Sequence, residues 1–367
     1  MTARDNIAPP AGMLAELTHR CPLGCAYCSN PLELEKPASE LDTATWKRVF
    51  SEAAAAGVLH VHLSGGEPCV RQDIVELTAH CANAGLYSNL ITSGVGLSRR
   101  LFDALVEARL DHLQLSIQDV EPASADRIAG YDGAFARKTE IARWTVEADL
   151  PLTVNAVMHR ANIARAARMV EFAIELGARR VEIAHTQYYG WGLVNRTALM
   201  PSREDTEIAV AAVEALRKKH AGVIVIDHVV PDYHARYPKA CMSGWARRTF
   251  NVTPSGKALP CHAAETLTHL DFWNVRERSI GDIWYDSPAF NAYRGLDWMK
   301  EPCRSCERRE IDFGGCRCQA LALTGDAANT DPICEKSPRH GGVAALAEHD
   351  AATGAIDYRY RRLNARA

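Results

Sequence analysis

Three cysteines near the start of the chain have the spacing of ligands to a metal cluster. Cys21, Cys25 and Cys28 form a C-x3-C-x2-C pattern, directly after a stretch at 14–18 whose alternation predicts a strand. Three thiolates on one tight loop can bind three irons of a [4Fe–4S] cube and leave the fourth iron open to a substrate or cofactor. The pattern predicts such an open cluster, with a loop held by zinc or by a disulfide as the alternative.

The composition restricts the class of protein. The 367 residues are 47% hydrophobic and 24% charged, as in globular proteins, and the formal net charge of −3 gives no support for nucleic-acid binding. The sequence contains no apolar run that could span a bilayer and no signal-peptide core at its start, which predicts a cytoplasmic protein. Twelve cysteines in a reducing compartment indicate metal ligands rather than disulfides.

Short apolar strands alternate with helical stretches through the first two thirds of the chain. Because parallel strands must be joined by crossovers, this alternation predicts a parallel sheet flanked by helices. Six units are too few to close an eight-fold barrel, so we predict an α/β fold built on a partial (β/α)6, TIM-like barrel. The predicted strands are 14–18, 60–63, 88–92, 112–117, 152–157 and 181–184.

A glycine-rich turn follows the second predicted strand, at the end where such barrels place their chemistry. It reads Gly65-Gly66-Glu67-Pro68. Two glycines let the backbone approach a ligand closely, and Glu67 offers an acceptor for an ammonium group. Taken alone, the turn predicts nothing more than a Gly-Pro bend, but its position next to the cysteine loop makes it a candidate binding element.

The cysteine loop and this turn together resemble the radical S-adenosylmethionine (SAM) superfamily. In that family the open iron holds the amino and carboxylate groups of SAM, and an electron from the cluster cleaves SAM to a 5′-deoxyadenosyl radical that abstracts a substrate hydrogen. The resemblance implies that Cys21, Cys25 and Cys28 are the catalytic cluster ligands. It also implies that the turn from Gly65 to Pro68 holds the SAM amino group.

Polar and aromatic residues further along the predicted barrel are candidate contacts of SAM or substrate. By the same resemblance, Ser116 and Asn155, at the ends of the fourth and fifth strands, bind SAM. Arg127 pairs with the SAM carboxylate in one interpretation and is a solvated surface arginine in the other. The aromatic run at 188–191 follows the sixth strand and is predicted to form a wall facing the substrate.

Seven of the twelve cysteines lie in the last third of the chain. A turn at 253–257 predicts a hairpin that brings the first two of them together. The spacing resembles the SPASM extension of peptide-modifying radical SAM enzymes, which binds two auxiliary iron–sulfur clusters; a structural zinc pair is the alternative. The seven are Cys241, Cys261, Cys303, Cys306, Cys316, Cys318 and Cys334.

The sequence departs from the SPASM pattern at two positions. Asp312 stands where the pattern has a cysteine, and Cys318 is added two residues after Cys316. A carboxylate is a harder ligand than a thiolate and would change the charge and potential of a cluster, whereas a surface Asp312 would leave one iron open. The spacing does not distinguish a [2Fe–2S] cluster from a [4Fe–4S] cluster. The ligand sets implied by the family arrangement are Cys241, Cys261, Cys316 and Cys318 for one cluster, and Cys303, Cys306, Asp312 and Cys334 for the other.

Longer strings narrow the resemblance to the branch of the family that acts in the biosynthesis of pyrroloquinoline quinone (PQQ). They are RCPLGCAYCSNP at 20–31, HTQYYGWG at 185–192, PCHAAE at 260–265 and EPCRSCERREIDFGGCRCQA at 301–320. This implies a ribosomal precursor peptide as substrate, a small peptide chaperone, an external electron donor and a bond between a glutamate γ-carbon and a tyrosine ring. The alternatives are another SPASM peptide modifier, thioether-forming or sulfatase-maturing, and, outside enzymes, an iron–sulfur electron carrier.

These motifs divide the chain into five predicted segments. Residues 1–12 form an N-terminal extension, 13–220 the radical SAM barrel and 221–240 a bridge. Residues 241–340 form the SPASM domain with the auxiliary clusters. The remainder, 341–367, is predicted as a C-terminal tail without ligand residues, either a peripheral helix or disordered.

Overall fold

A nine-stranded sheet forms the centre of the molecule. In the computed structural model, which describes residues 3–229, 232–354 and 357–361, seven parallel strands follow chain order across the sheet. Two short strands join beside β1, the first parallel to it and the second antiparallel to the first. The strands are β1 (Gly12–Thr18), β2 (His60–Gly65), β3 (Tyr87–Thr92), β4 (His112–Ser116), β5 (Leu152–Met158), β6 (Arg180–His185), β7 (Val225–His228), β8 (Thr249–Val252) and β9 (Ala258–Leu259).

Helices connect successive strands and continue into the C-terminal part. The connecting helices are α1 (Thr43–Ala55), α2 (Ile74–Asn83), α3 (Arg99–Glu107), α4 (Pro122–Ala129), α5 (Ala134–Glu147), α6 (Ala166–Glu175), α7 (Gly190–Val194), α8 (Arg196–Leu199) and α9 (Arg203–Lys219). The C-terminal helices are α10 (Ile280–Asp286), α11 (Pro288–Asn291), α12 (Arg309–Asp312), α13 (Arg317–Thr324) and α14 (His340–Ala352).

The core lies between the sheet and the connecting helices. The sequence of α1 shows how one of these helices begins and which face it buries. Helix α1 begins at Asp42, whose carboxylate accepts a hydrogen bond from the backbone N–H of Thr45 and so caps the helix. Its apolar residues recur at helical spacing and therefore share one face. That face is buried against the sheet and consists of Trp46, Val49, Phe50 and Ala53.

The predicted partial barrel is confirmed, and the sheet is wider than predicted. All six predicted strands are present and parallel. The segment predicted as a bridge contributes β7, which pairs with β6 and buries Ile226. The SPASM segment contributes β8 and β9 beside β1. The hairpin predicted around the turn at 253–257 is the β8–β9 pair. Its position beside β1 was not predicted, because that partner is distant in sequence.

The five predicted segment boundaries stay predictions. Residues 1–2 of the extension, 230–231 of the bridge, and 355–356 and 362–367 of the tail lie outside the described residues. Within the described ranges, no helix is both long and apolar enough to cross a membrane.

Candidate functional site

A cavity of about 370 Å³ opens at the C-terminal ends of β2 to β6. Each of these strands contributes side chains or backbone to its wall, as expected for an active site at this end of a parallel barrel. The cysteine loop that follows β1 forms the opposite wall. Strand residues lining the cavity include Ser64, Thr92, Ser116, Val157, Glu182 and His185.

The structure brings the three cysteines of the N-terminal loop to this cavity. Cys21, Cys25 and Cys28 all line it, and the loop is fixed to α4 by the hydrogen bond from the N–H of Gly24 to the carbonyl of Ala129, at 2.9 Å. Burial raises the pKa of the Cys21 thiol to about 11 and that of Cys25 to about 12. Metal binding would displace the thiol protons. Three thiols on one wall of a cavity this large fit a cluster with an open iron.

A buried cation lies close to the cysteine loop. Lys138 is 1% exposed, and its ammonium donates to the carbonyl of Ser116 at 2.8 Å and to the side-chain carbonyl of Gln118. The amide of Gln118 donates in turn to the Tyr27 hydroxyl, within the cysteine loop, at 3.0 Å. Burial lowers the pKa of Lys138 to about 8, and the charge of the Cys25 thiolate opposes this decrease. Lys138 therefore offers positive charge to an anionic cluster.

The glycines of the Gly65–Pro68 turn are required by the approach of two backbone segments. Gly65 has a φ of 124°, and a Cβ there would lie 2.3 Å from the carbonyl oxygen of Thr18. A Cβ on Gly66 would lie 2.4 Å from the carbonyl oxygen of Arg20. Both glycines line the cavity, so the turn presents bare backbone to whatever occupies it.

Glu67 is not among the residues that line the cavity, and its carboxylate lies behind Thr92 and Ser93, which do line it. Glu67 is 0% exposed. Its oxygens accept hydrogen bonds from the Thr92 hydroxyl at 2.7 Å, from the N–H of Ser93 at 2.8 Å and from the N–H of Cys69 at 3.1 Å. Pro68 is buried and begins a short 3-10 turn. Glu67 thus connects the turn to the end of β3, and the cavity-facing groups are backbone atoms.

Of the three other predicted SAM contacts, only Ser116 lies on the cavity wall. Ser116 lines the cavity. Asn155 does not line the cavity itself. Its amide donates at 2.9 Å to the carboxylate of Glu182, which does line the cavity. Arg127 is not among the lining residues, and its guanidinium carbon lies 5.9 Å from the ring centroid of Tyr358.

Four cysteines of the C-terminal segment form one group, called here the inner set: Cys241, Cys261, Cys316 and Cys318. Within this set Cys241 interacts with Cys261 and Cys316, and Cys318 interacts with Cys261 and Cys316, closely enough to shift the pKa of each thiol. Interaction with Cys241 and Cys318 lowers the pKa of Cys316. The donors predicted for one auxiliary cluster therefore lie together, and four neighbouring thiols fit a cluster without an open position.

The inner set is adjacent to the main cavity. Gln187 and His262 line both that cavity and a smaller one of about 70 Å³, which Cys241, Cys261 and Cys316 also line. Two shared wall residues thus lie between the barrel site and the inner set.

The aromatic run after β6 takes a different position from the predicted substrate wall. Tyr188 stacks on Tyr233 with a centroid separation of 4.8 Å. The hydroxyl of Tyr189 lies 2.9 Å from the sulfur of Cys316. The cavity wall in this region is formed by His185 and Gln187 instead. Tyr189 therefore faces the inner set rather than the substrate cavity.

A second group, the outer set, consists of Cys303, Cys306, Asp312 and Cys334, which line one small cavity. Asp312 is 6% exposed and accepts hydrogen bonds from the Arg308 guanidinium at 3.2 Å and the N–H of Gly314 at 3.1 Å. The Lys336 ammonium lies 3.3 Å from the sulfur of Cys306. In the described part of the chain, no three His, Cys, Asp or Glu side chains are grouped to hold a single metal ion. Three sulfurs and one carboxylate around a cavity fit the predicted donors of the second auxiliary cluster.

Sequence reasoning missed three polar residues at these sites. Lys138 resembles any surface lysine of an amphipathic helix, and only the packing of α5 reveals its burial. Arg361 lines the main cavity from the far end of the chain. His262 could have been found, because it directly follows a predicted cluster ligand.

Comparison with known proteins agrees with this architecture. A model of the radical SAM superfamily matches residues 15–173, and a model of the SPASM iron–sulfur cluster-binding domain matches residues 241–307. The chain is 66% identical to the PqqA peptide cyclase of Methylocella silvestris over 100% of this chain and 99% of that protein. It is 56% identical to the PqqA peptide cyclase of Rhizobium meliloti over 98% of this chain and 96% of that protein.

Solved structures share the fold at low sequence identity. SuiB of Streptococcus suis bound to S-adenosylmethionine superimposes with a TM-score of 0.75 at 19% identity, covering 90% of this chain and 78% of SuiB. The enzyme anSMEcpe with bound AdoMet gives a TM-score of 0.61 at 16% identity, covering 95% and 97%. The fold, the two domain matches and the full-length relatives agree: the chain belongs to the family of PqqA peptide cyclases, radical SAM enzymes that carry a SPASM domain.

Proposed function

We propose that this enzyme cyclises the precursor peptide PqqA in PQQ biosynthesis by joining a glutamate γ-carbon to a tyrosine ring in a Glu-x3-Tyr segment. The observation that carries the proposal is full-length identity of 56–66% to PqqA peptide cyclases. The arrangement of the cavity supports it: three loop thiols face a space at the strand ends that shares a wall with the inner set.

Iron–sulfur clusters and SAM are the cofactors implied by the two domains. In the proposal Cys21, Cys25 and Cys28 hold a [4Fe–4S] cluster with one open iron, and the inner and outer sets hold two auxiliary clusters, [4Fe–4S] or [2Fe–2S]. When bound, these groups supply a hydrogen-abstracting 5′-deoxyadenosyl radical and an acceptor for the electron released after ring attack. Asp312 is proposed as the oxygen ligand of the outer cluster.

The role of the protein itself is placement. Backbone of Gly65 and Gly66, the hydroxyl of Ser116 and the Glu182 carboxylate held by Asn155 are the groups available to orient SAM in the cavity. Holding the peptide so that its target hydrogen and tyrosine ring meet in that cavity replaces a bimolecular encounter by a positioned one. Arg127 is left as a weaker candidate, because its guanidinium is directed to Tyr358.

The proposal extends to partners and location. PqqA would be presented by the small peptide chaperone PqqD, and an external donor would reduce the first cluster. A cytoplasmic location is proposed, because a reducing compartment keeps the cysteines of the loop and of the inner and outer sets available for metal binding.

The test is an anaerobic reaction of reconstituted protein with SAM, a strong reductant, PqqA and PqqD. We expect 5′-deoxyadenosine and a peptide that is lighter by two hydrogens, with tandem mass spectrometry locating the link between the glutamate and the tyrosine. Matched PqqA peptides in which the glutamate is replaced by alanine or the tyrosine by leucine should remain unmodified. Deoxyadenosine formation with no crosslink in any PqqA reaction would contradict the proposal and leave only radical SAM chemistry.

A further inference from the structure

The C-terminal segment 357–361 returns to the cysteine loop at the opposite end of the chain. The guanidinium of Arg361 donates to the carbonyl of Leu23 at 2.6 Å and to that of Cys21 at 3.3 Å. These contacts join residues up to 340 positions apart. The segment predicted as a peripheral tail is therefore part of the wall of the main cavity, which Arg361 lines.

A buried asparagine ties the same segment to the loop from a second direction. The Asn195 amide donates to the carbonyl of Ala26 at 2.8 Å and to that of Arg359 at 2.9 Å, and its oxygen accepts from the N–H of Arg359 at 2.7 Å. The Tyr360 hydroxyl donates to the carbonyl of Arg127 at 2.8 Å. Contacts therefore hold the tail against both the loop and the end of α4.

Two glycines lie against this segment, and the approach is tight at one of them, Gly130. A Cβ on Gly24, inside the cysteine loop, would lie 3.6 Å from the carbonyl oxygen of Arg361. A Cβ on Gly130, which has a φ of 64°, would lie 3.1 Å from the ring of Tyr360. The loop and the helix end are thus shaped to accept the tail as a packed element.

One terminal nitrogen of the Arg361 guanidinium is not used in these contacts. Its Nη1 atom is buried, and among the described residues it has no hydrogen-bond partner. The guanidinium is bonded to the backbone of Cys21 and Leu23, and Arg361 lines the same cavity as Cys21, Cys25 and Cys28. A cation at this position would stabilise the extra negative charge of a reduced cluster, because net charge and nearby donors help to set cluster potentials.

We propose that Arg361 is a positioning residue of the first cluster site, fixing the cysteine loop through two carbonyls and supplying a positive charge that favours reduction of the cluster. The proposal rests on the proposed function, because it concerns the cluster that the loop would hold. It assigns a role in the barrel site to a tail that carries no ligand.

The test compares full-length wild type, Arg361→Ala and Arg361→Lys after reconstitution. Arg179→Ala is the matched control, since Arg179 is an exposed arginine paired with Asp149. Redox titration of the SAM-responsive cluster signal should give a more negative potential for Arg361→Ala. Arg361→Lys should recover most of this shift, because it keeps the charge. Amide exchange in 21–28 should be about tenfold faster in both Arg361 variants than in wild type, since neither keeps the paired guanidinium contacts.

Other outcomes distinguish failure of the proposed role of Arg361 from failure of the proposed function. Selective loss of the first cluster in Arg361→Ala, with the auxiliary clusters retained, would also support the loop-fixing role. If Arg361→Ala fails to fold, the exchange rate in Arg361→Lys decides the matter. Wild-type potential and exchange in the variants would overturn the proposal. Absence of a SAM-responsive cluster in wild type would instead refute the proposed function.

Discussion

The cysteine loop of the barrel and the inner set of the SPASM segment differ in the space around their thiols. The loop offers three cysteines, all on the wall of a 370 Å³ cavity. The inner set offers four cysteines that lie close enough to shift one another's pKa, beside a cavity of about 70 Å³. Three donors facing open space leave a position for a reactant, whereas four donors in contact close the site to all but electron transfer.

The outer set extends this comparison. It replaces one thiol by the carboxylate of Asp312 and lies beside two cations, Arg308 and Lys336. The inner set has a phenol, Tyr189, in contact with one sulfur. The three groups thus differ in donor type, in neighbouring charge and in access, and each difference can be changed separately.

The largest expected effect comes from removing a thiol of the loop. Cys28→Ala should reduce SAM cleavage by more than about 100-fold, because two thiols cannot hold a cluster with one open iron. Iron bound by the auxiliary sets should remain. The measurement is 5′-deoxyadenosine formation together with iron content. Cys81→Ala is the control, because Cys81 is a buried thiol outside the cysteine loop and the inner and outer sets. Retained SAM cleavage would refute the assignment of the loop.

A second substitution, Arg317→Ala, should destabilise the SPASM segment without affecting the barrel site. Arg317 is 1% exposed and donates to the carbonyls of Ala327 and Asn329 at 2.6 and 2.9 Å, and its guanidinium lies over Trp298. Arg317→Ala should lower the free energy of unfolding by about 3 kcal/mol or more, because buried carbonyls lose their donor.

The matched control for Arg317 is an exposed arginine over a tryptophan. Arg278 lies over Trp273, and Arg278→Ala should cost only about 0.5–1 kcal/mol. Chemical denaturation of the reconstituted proteins compares the two. Equal losses of stability in the two variants would show that burial of Arg317 does not matter. Loss of the SAM-responsive cluster in Arg317→Ala would show that the SPASM segment and the barrel site are not independent.

An intermediate effect is expected at the carboxylate of the outer set. Asp312→Ala should lower the iron bound there while the first cluster stays bound and SAM cleavage remains within about twofold of wild type. Asp312→Cys should retain the iron and shift the outer cluster to a more negative potential, because a thiolate donates more electron density than a carboxylate. Iron analysis and redox titration separate these outcomes, and unchanged iron in Asp312→Ala would exclude ligation.

The smallest expected effect lies at the phenol beside the inner set. Tyr189→Phe removes one hydrogen bond to the sulfur of Cys316, and a bond worth about 0.7 kcal/mol corresponds to a decrease of about 30 mV in a one-electron potential. Tyr188→Phe is the control, because that hydroxyl faces Met200 instead. An identical inner-cluster potential in both variants would show that the contact has no electronic role.

The features predicted from sequence are those that local spacing determines. The cysteine loop, the glycine turn and the six strands each lie within a short stretch, so periodicity or motif spacing identifies them. The partition of seven cysteines into two groups came from family resemblance, and the structure places the members of each group together. Whether Asp312 and Cys318 bind iron stays a prediction.

What sequence could not provide depends on contacts between distant segments. The direction of the Glu67 carboxylate follows from donors at the end of β3, and the burial of Lys138 follows from packing over β4. Arg361 reaches Cys21 across nearly the whole chain. No pattern within any one of these stretches indicates its partner, so such residues emerge only when the chain is folded.

The open loop and the closed inner set are expected to divide the reaction between them, and removal of one inner thiol separates their roles. Cys316→Ala protein is incubated anaerobically with SAM, reductant, PqqA and PqqD, and 5′-deoxyadenosine and crosslinked peptide are measured in the same sample. We expect deoxyadenosine with little or no crosslinked peptide. Crosslinked peptide at the wild-type yield would contradict this division of roles, because the inner set would then have no part in the reaction.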